Sequence, residues 1–193
     1  MRILLLSALL LGLSHSGAWA ETDTKSMVGV PAPILSGKTA NGPGLMKLNN
    51  LMKEFGFKTD EQGKKVEVNG EYVPEIKRNV VVLSFFATTC VPCMREIPTY
   101  NRIAASYEGK PVRLIYVNVD TEVSNDEMSR FIAKKKIEVP MMLPNQREAV
   151  KQYQVYSLPR IVVINKDGVI AYEFKGFKET LEKDLTDIIN KLL

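Results

Sequence analysis

The run Asn79-Val80-Val81-Val82-Leu83-Ser84-Phe85-Phe86-Ala87-Thr88-Thr89-Cys90-Val91-Pro92-Cys93-Met94-Arg95-Glu96-Ile97-Pro98 decides the reading of this chain. Its first eight residues are almost unbroken apolar and rich in β-branched side chains, as a strand buried on both faces requires. Beyond it, Met94, Ile97, Tyr100, Ile103, Ala104 and Tyr107 recur at helical spacing until Gly109 and Pro111 stop the helix. Cys90 therefore sits where a strand ends and a helix begins. Unpaired amides and the positive end of the helix dipole favour a thiolate there, lowering its pKa from about 8.5. Cys93 faces the same side one turn deeper, where it can resolve a mixed disulfide. Pro98 falls inside the helix, and its missing amide bond predicts a kink.

Working outward, Val112 to Val119 reads as a second buried strand, and Ser124-Asn125-Asp126-Glu127 is a capping box opening a helix through Met128, Phe131 and Ile132. Val139 to Leu143 is a short apolar piece before Asn145, which caps a helix through Ala149, Val150 and Tyr153. Ile161 to Ile164 and Val169 to Phe174 flank Asn165-Lys166-Asp167-Gly168, a hairpin signal. Leu181, Leu185, Ile188, Ile189 and Leu192 lie on one face of a closing amphipathic helix. Strands alternating with helices, then a hairpin and a helix, predict an α/β sandwich around a mixed sheet. Before the central strand, Leu45, Leu48, Leu51, Met52 and Phe55 sit at helical spacing, and Val66 to Val73 carries the Asn69-Gly70 signature of a tight hairpin. The hairpin reads as an insertion at the sheet's edge. The region from Phe57 to Lys77 is otherwise awkward to place.

The chain has 193 residues, 45% hydrophobic and 25% charged, the composition of a folded domain. Ile3 to Leu13 is almost wholly apolar, follows Arg2 and precedes Ala18-Trp19-Ala20; it is too short for the roughly 20 residues a bilayer span needs. Residues 1–20 are thus expected to be a cleaved signal peptide, an uncleaved membrane anchor being the alternative, and residues 21–193 one domain in the periplasm or another exported setting. With 26 Lys and Arg against 22 Asp and Glu, the formal charge is a modest +4. Lys134-Lys135-Lys136 reads as a solvated helix end, and no basic stripe argues for nucleic acid.

Cleavage would remove His15 and Trp19, the single histidine and single tryptophan. Without histidine the remaining domain has no Ser-His-Asp or Cys-His catalysis and no imidazole zinc ligand. Nor can it attach c-type haem, since Met94 follows Cys93 where C-x-x-C-H needs His. Two cysteines remain, Cys90 and Cys93. Zinc would need two further soft ligands. A staple is poorly placed here, because closing so short a loop contributes about 2 kcal/mol against about 4.7 for a 100-residue loop. Redox chemistry is the favoured reading, with no metal and no cofactor. The rival is a non-catalytic metallochaperone holding Cu(I) through Cys90, Cys93 and a methionine such as Met141 or Met142, although those two read as core. A peroxidase would use a lone reactive cysteine, and Cys93 argues against it.

These residues resemble the thioredoxin superfamily, and more closely the TlpA/ResA/CcmG branch of exported bacterial thiol-disulfide oxidoreductases. The resemblance is carried by Gly29-Val30-Pro31-Ala32-Pro33, by Leu83 to Pro98 with its C-x-x-C-x-x-E-x-P pattern, and by Tyr156-Ser157-Leu158-Pro159. Thr89 and Phe86 stand where the superfamily commonly has tryptophan, which alters the packing beside the thiols.

The resemblance implies a thioredoxin-like fold with a mixed central sheet flanked by helices. It implies that Pro159 faces the cysteines as a cis peptide and that the Leu158 backbone pairs with extended substrate, Val91 and Pro92 completing the substrate-binding set. It also implies a functional glutamate at Glu96, in catalysis with Cys90, Cys93 and Pro159. Glu96 shares a helical face with Cys93, and its neutral neighbours Val91, Met94 and Ile97 predict a raised pKa suited to shuttling the Cys93 proton. Val91-Pro92 places no charge between the cysteines and the chain has no room for an inserted helical domain, so a reductase is expected rather than a strong oxidant. A membrane thiol carrier would recharge it, and the resemblance suggests apocytochrome c or an oxidase copper-site protein as disulfide-bearing partners.

Overall fold

The computed structural model describes residues 26–193 other than residues 41 and 122, so the expected signal peptide lies outside the described residues. After an extended segment come β1 (Ser36–Thr39), β2 (Leu45–Lys47), the short helix α1 (Leu48–Met52), β3 (Lys53–Phe57), β4 (Glu67–Val68), β5 (Glu71–Tyr72) and β6 (Pro74–Arg78). The apolar run is β7 (Val80–Phe86), followed by α2 (Val91–Ser106), β8 (Val112–Asn118), α3 (Asn125–Lys135), β9 (Met141–Pro144) and α4 (Gln146–Gln152). Strands β10 (Arg160–Ile164) and β11 (Ile170–Lys175) and helix α5 (Leu181–Leu192) complete the chain.

Seven strands form one mixed sheet in the order β11-β10-β7-β8-β9-β1-β2. Strands β7, β8 and β9 run parallel, and β10, β11, β1 and β2 join antiparallel to their neighbours. Parallel neighbours need a crossover, and α2 and α3 supply the two. All seven residues of β7 are buried, because both faces of the sheet are covered.

The period of two along each strand sorts the core into two halves. Val80, Val82 and Phe86 of β7 pack with Leu114, Tyr116, Ile161 and Val163 beneath α2, α3 and α5. Val81, Leu83 and Phe85 pack with Ile115, Val117, Val162 and Ile164 beneath α1, α4 and the N-terminal segment. Tyr100 of α2, fully buried, donates its hydroxyl to the Val82 carbonyl at 3.1 Å and so ties the helix to the central strand. The helix runs unbroken through Pro98 from Val91 to Ser106.

The capping box at Ser124 is formed as read, with the Glu127 side chain accepting from the Ser124 amide and the Ser124 hydroxyl accepting from the Glu127 amide. Asn145 caps α4 through the Glu148 amide at 3.1 Å. The N-terminal segment lies along β11, where Gly29 donates to Ile170, Ile170 to Val30 and Ala32 to Gly168. Its first turn reaches a buried ion pair: Glu173 accepts from Arg160 at 2.8 Å and from the Met27 amide at 3.3 Å.

One expectation from the N-terminal third needs correction. The helical spacing from Leu45 to Phe55 covers three elements, strand β2, one helical turn α1 and strand β3. Leu48 alone in α1 is buried, whereas Phe55 is 81% exposed, so the periodicity there does not trace one face. Asn69-Gly70 does make the tight turn, both residues having positive φ. That hairpin is an insertion outside the seven-stranded sheet, with β4–β5 and β3–β6 as two separate two-stranded ladders. Together they form a ribbon held to the domain by Glu54 paired with Arg113 and by the Asn79 amide donating to Met52.

Candidate active site

The C-terminal end of β7 and the first turn of α2 build the site. Cys90 is the N-cap of α2, with extended backbone, and Pro92 fits the first turn, where a missing N–H is harmless. The Cys90 amide donates to Ala87 at 3.0 Å, and its carbonyl accepts from Met94 at 3.2 Å. Its sulfur accepts from the Cys93 amide at 3.2 Å and forms a disulfide with Cys93. Cys93 is 2% exposed, while Cys90 is half-buried and Val91 stands 70% exposed.

The approach to Cys90 is held from below by Asp120, just past β8. Its carboxylate accepts from the Thr88 amide at 2.9 Å and from Asn118 Nδ2 at 2.7 Å. These bonds fix the loop between Ala87 and Cys90. Asp120 was not singled out in the sequence; the signal was a polar Asn118-x-Asp120 pair closing an apolar strand one sheet position from β7.

Cys90, Val91 and Pro92 line an open groove of about 620 Å³ together with Leu158. The opposite wall comes from Val119, from Gln146 and Val150 of α4, and from Tyr156, which is 70% exposed. Among these wall residues sequence reading had named Val91, Pro92 and Leu158 as substrate-binding; Gln146, Val150 and Tyr156 reach the groove through tertiary packing. Among the described residues, no charged side chain lines it. The Leu158–Pro159 bond is cis, and Pro159 is buried at the start of β10.

Glu96 is 4% exposed, on the buried face of α2 with Cys93, Ile97 and Tyr100. Burial pushes its carboxyl up to about 7, opposed by the Lys178 amide that hydrogen-bonds to it. Nearby Arg95 leaves this face, its guanidinium lying 4.2 Å over the Phe177 ring. The two methionines weighed as copper ligands are fully buried on opposite faces of the sheet, Met141 with Cys93 and Met142 with Phe85. They cannot both turn toward the cysteines.

A half-exposed sulfur at a helix start, a buried partner sulfur and an uncharged groove beside a cis proline, all on a mixed α/β sheet, define a thiol-disulfide oxidoreductase of thioredoxin-like fold. Residues 47–189 match the Redoxin family model, and the chain belongs to that family. It is 33% identical over 133 residues to the thiol-disulfide oxidoreductase ResA of Bacillus thuringiensis subsp. konkukian (strain 97-27), covering 67% of this chain and 72% of the relative. Among solved structures, it superposes with TM-score 0.66 and 21% identity on a thiol:disulfide interchange protein described as DsbE from Chlorobium tepidum, over 86% of this chain and 96% of the other. The thioredoxin domain of a thiol-disulfide oxidoreductase from Bacteroides vulgatus matches with TM-score 0.63 and 16% identity, over 86% and 100%.

Proposed function

We propose that this protein is a reductase of protein disulfides. Cys90 attacks one sulfur of a substrate disulfide and forms a mixed disulfide, and the other substrate sulfur leaves as a thiol. Cys93 then attacks Cys90, releasing the second substrate thiol and leaving the Cys90–Cys93 disulfide. Two electrons pass to the substrate in each cycle, and a membrane thiol carrier returns them. Glu96 takes up the Cys93 proton, Val91, Pro92 and Leu158 hold an extended substrate segment, and Pro159 shapes the groove.

The observation that carries the direction is that no lysine or arginine is among the described residues lining the groove at Cys90, while the one carboxylate bracing this loop, Asp120 at Thr88, is an anion. A strongly oxidising pair needs an unusually stabilised thiolate. Here the sulfur has one amide donor and no lysine or arginine in the groove, and a buried acid lies one turn beyond Cys93. A further proposal is that residues 1–20 are removed on export and that residues 21–193 act in the periplasm or an equivalent compartment. Disulfides in apocytochrome c or in an oxidase copper-site protein are the proposed substrates.

Equilibration of the Cys90/Cys93 couple with glutathione or dithiothreitol tests the direction. The expected potential lies nearer the roughly −270 mV of thioredoxin than the −120 mV of DsbA, and a value above about −160 mV overturns the reductase reading.

A further inference from the structure

The tyrosines around Glu96 are not equivalent. Tyr100, one turn along α2, already spends its hydroxyl on the Val82 carbonyl at 3.1 Å. Tyr116 of β8 packs against it with the rings tilted and their centroids 4.7 Å apart, and meets Phe86 at 5.6 Å. Tyr116 is 1% exposed, yet its hydroxyl has no hydrogen-bond partner among the described residues. Buried hydroxyls are seldom left unpaired, because desolvation without a compensating bond is unfavourable. The two other orphaned side-chain atoms lie elsewhere, Asn79 Oδ1 at the start of β7 and Arg160 Nε by Glu173 on the other face of the sheet.

We propose that Tyr116 is a positioning residue for thiol-disulfide exchange, its hydroxyl being the donor that receives the ionised carboxylate of Glu96 in the core behind Cys93. The groups facing Glu96 are few. Its own helix presents Cys93 and Tyr100, β8 presents Tyr116, and the segment before α5 presents the Lys178 amide. Lys178 itself directs its ammonium over the Phe174 ring, and α5 packs here through Leu181 and Leu185. Among the described residues no cation is therefore at hand to hold the carboxylate, and the Lys178 amide is a single donor. Glu96 has a flexible side chain and Tyr116 a fixed ring, so rotation of the acid makes the bond. Burial raises the pKa of both phenols, so they stay neutral and do not repel an ionised Glu96, and of the two only the O–H of Tyr116 is uncommitted and able to donate to it. The inference rests on the reading that Glu96 exchanges a proton with Cys93.

The test compares unaltered protein, Tyr116→Phe, Glu96→Gln and the double variant, each reduced. The Glu96 carboxyl is followed by carbon-13 NMR and the thiols by iodoacetamide alkylation, from about pH 5 to about pH 9. Tyr116→Phe is expected to raise the Glu96 midpoint by about one pH unit and to move the thiol profile when Glu96 is present but not in the Glu96→Gln background. An unmoved Glu96 midpoint, or equal thiol shifts in both backgrounds, overturns the proposal. Should Tyr116→Phe fail to fold, the Tyr116 Cζ resonance of the unaltered protein decides: it is expected to titrate with Glu96, and a flat response overturns the assignment. These titrations are read on the protein alone, so a failure of the reductase reading, seen as a high potential, stays separate from a failure here.

Discussion

The amide of Cys93 donates to the sulfur of Cys90 at 3.2 Å, so the buried cysteine places a donor where the Cys90 thiolate forms once the disulfide is reduced. The two sulfurs are thereby unequal: one has a donor and a path to the groove, and the other is enclosed. Cys93→Ser is expected to accumulate mixed disulfides with protein substrates and Cys90→Ser is not. Trapping followed by non-reducing electrophoresis checks this, and equal trapping by both variants contradicts the assignment of roles.

Glu96 couples stability to pH. Its folded carboxyl, raised by burial to about 7 from 4.5, binds a proton that the unfolded chain has released in the window between those values. Stability therefore falls as pH rises from about 4.5 to about 7, by roughly 3–4 kcal/mol at most. Glu96→Gln cannot ionise, and its oxidised form should be more stable than the unaltered protein at pH 8 and similar at pH 4. Denaturant unfolding at the two pH values reads the difference, and parallel curves for both proteins would refute it.

Arg160 and Glu173 form the most enclosed ion pair among the described residues, with side chains 2% and 10% exposed. Breaking such a pair typically destabilises by about 3–5 kcal/mol when the remaining charge is left unmatched; Glu173 also has Lys175 at 3.5 Å, whereas the charge of Arg160 is matched by Glu173. Glu173→Gln should fall toward the lower end, because the Gln oxygen still accepts from Arg160 and from the Met27 amide. Arg160→Met should also stay toward the lower end, because Glu173 keeps Lys175 at 3.5 Å and the Met27 amide; thermal unfolding at constant pH measures both, and a loss at the upper end for Arg160→Met would contradict the part given to Lys175.

The ribbon is attached at the start of β7, whereas Cys90 follows its end. A strand of seven residues separates them by about 20 Å. Replacing residues 58–73 with an Asn-Gly turn between β3 and β6 should leave the potential of the cysteine couple unchanged. A shift in the potential would mean that the ribbon communicates with the site.

The elements that build the site were legible because local and tertiary signals agree there: the run Val80 to Phe86 is apolar because both sheet faces are covered, and α2 keeps one buried stripe through Tyr100 and Ile103. Leu45 to Phe55 misled because the two ends of its pattern are exposed, Leu45 57% and Phe55 81%, and lie in strands β2 and β3, while Leu48, Leu51 and Met52 between them meet the core from the single turn of α1. Strand β1 was missed since Gly37 is its single buried residue, pressed so closely on the Leu143 carbonyl that a side chain would not fit. At the site, Glu96 could be found from its apolar neighbours. Tyr116 and Asp120 could not, since what distinguishes them, an orphaned hydroxyl and a loop-bracing carboxylate, exists only after β8 is laid beside β7.

The groove joins Cys90 to Leu158, two points far apart in sequence that become neighbours when β10 pairs with β7 from Arg160↔Phe85 to Ile164↔Val81. The motif is local, but the place where a substrate lies is not. A chain caught partway through folding carries both thiols without the opposite wall, and contacts of such long range are late to form. Substrate capture is thereby deferred until the sheet is complete, so a nascent copy has its reactive pair before it has anywhere to dock a client.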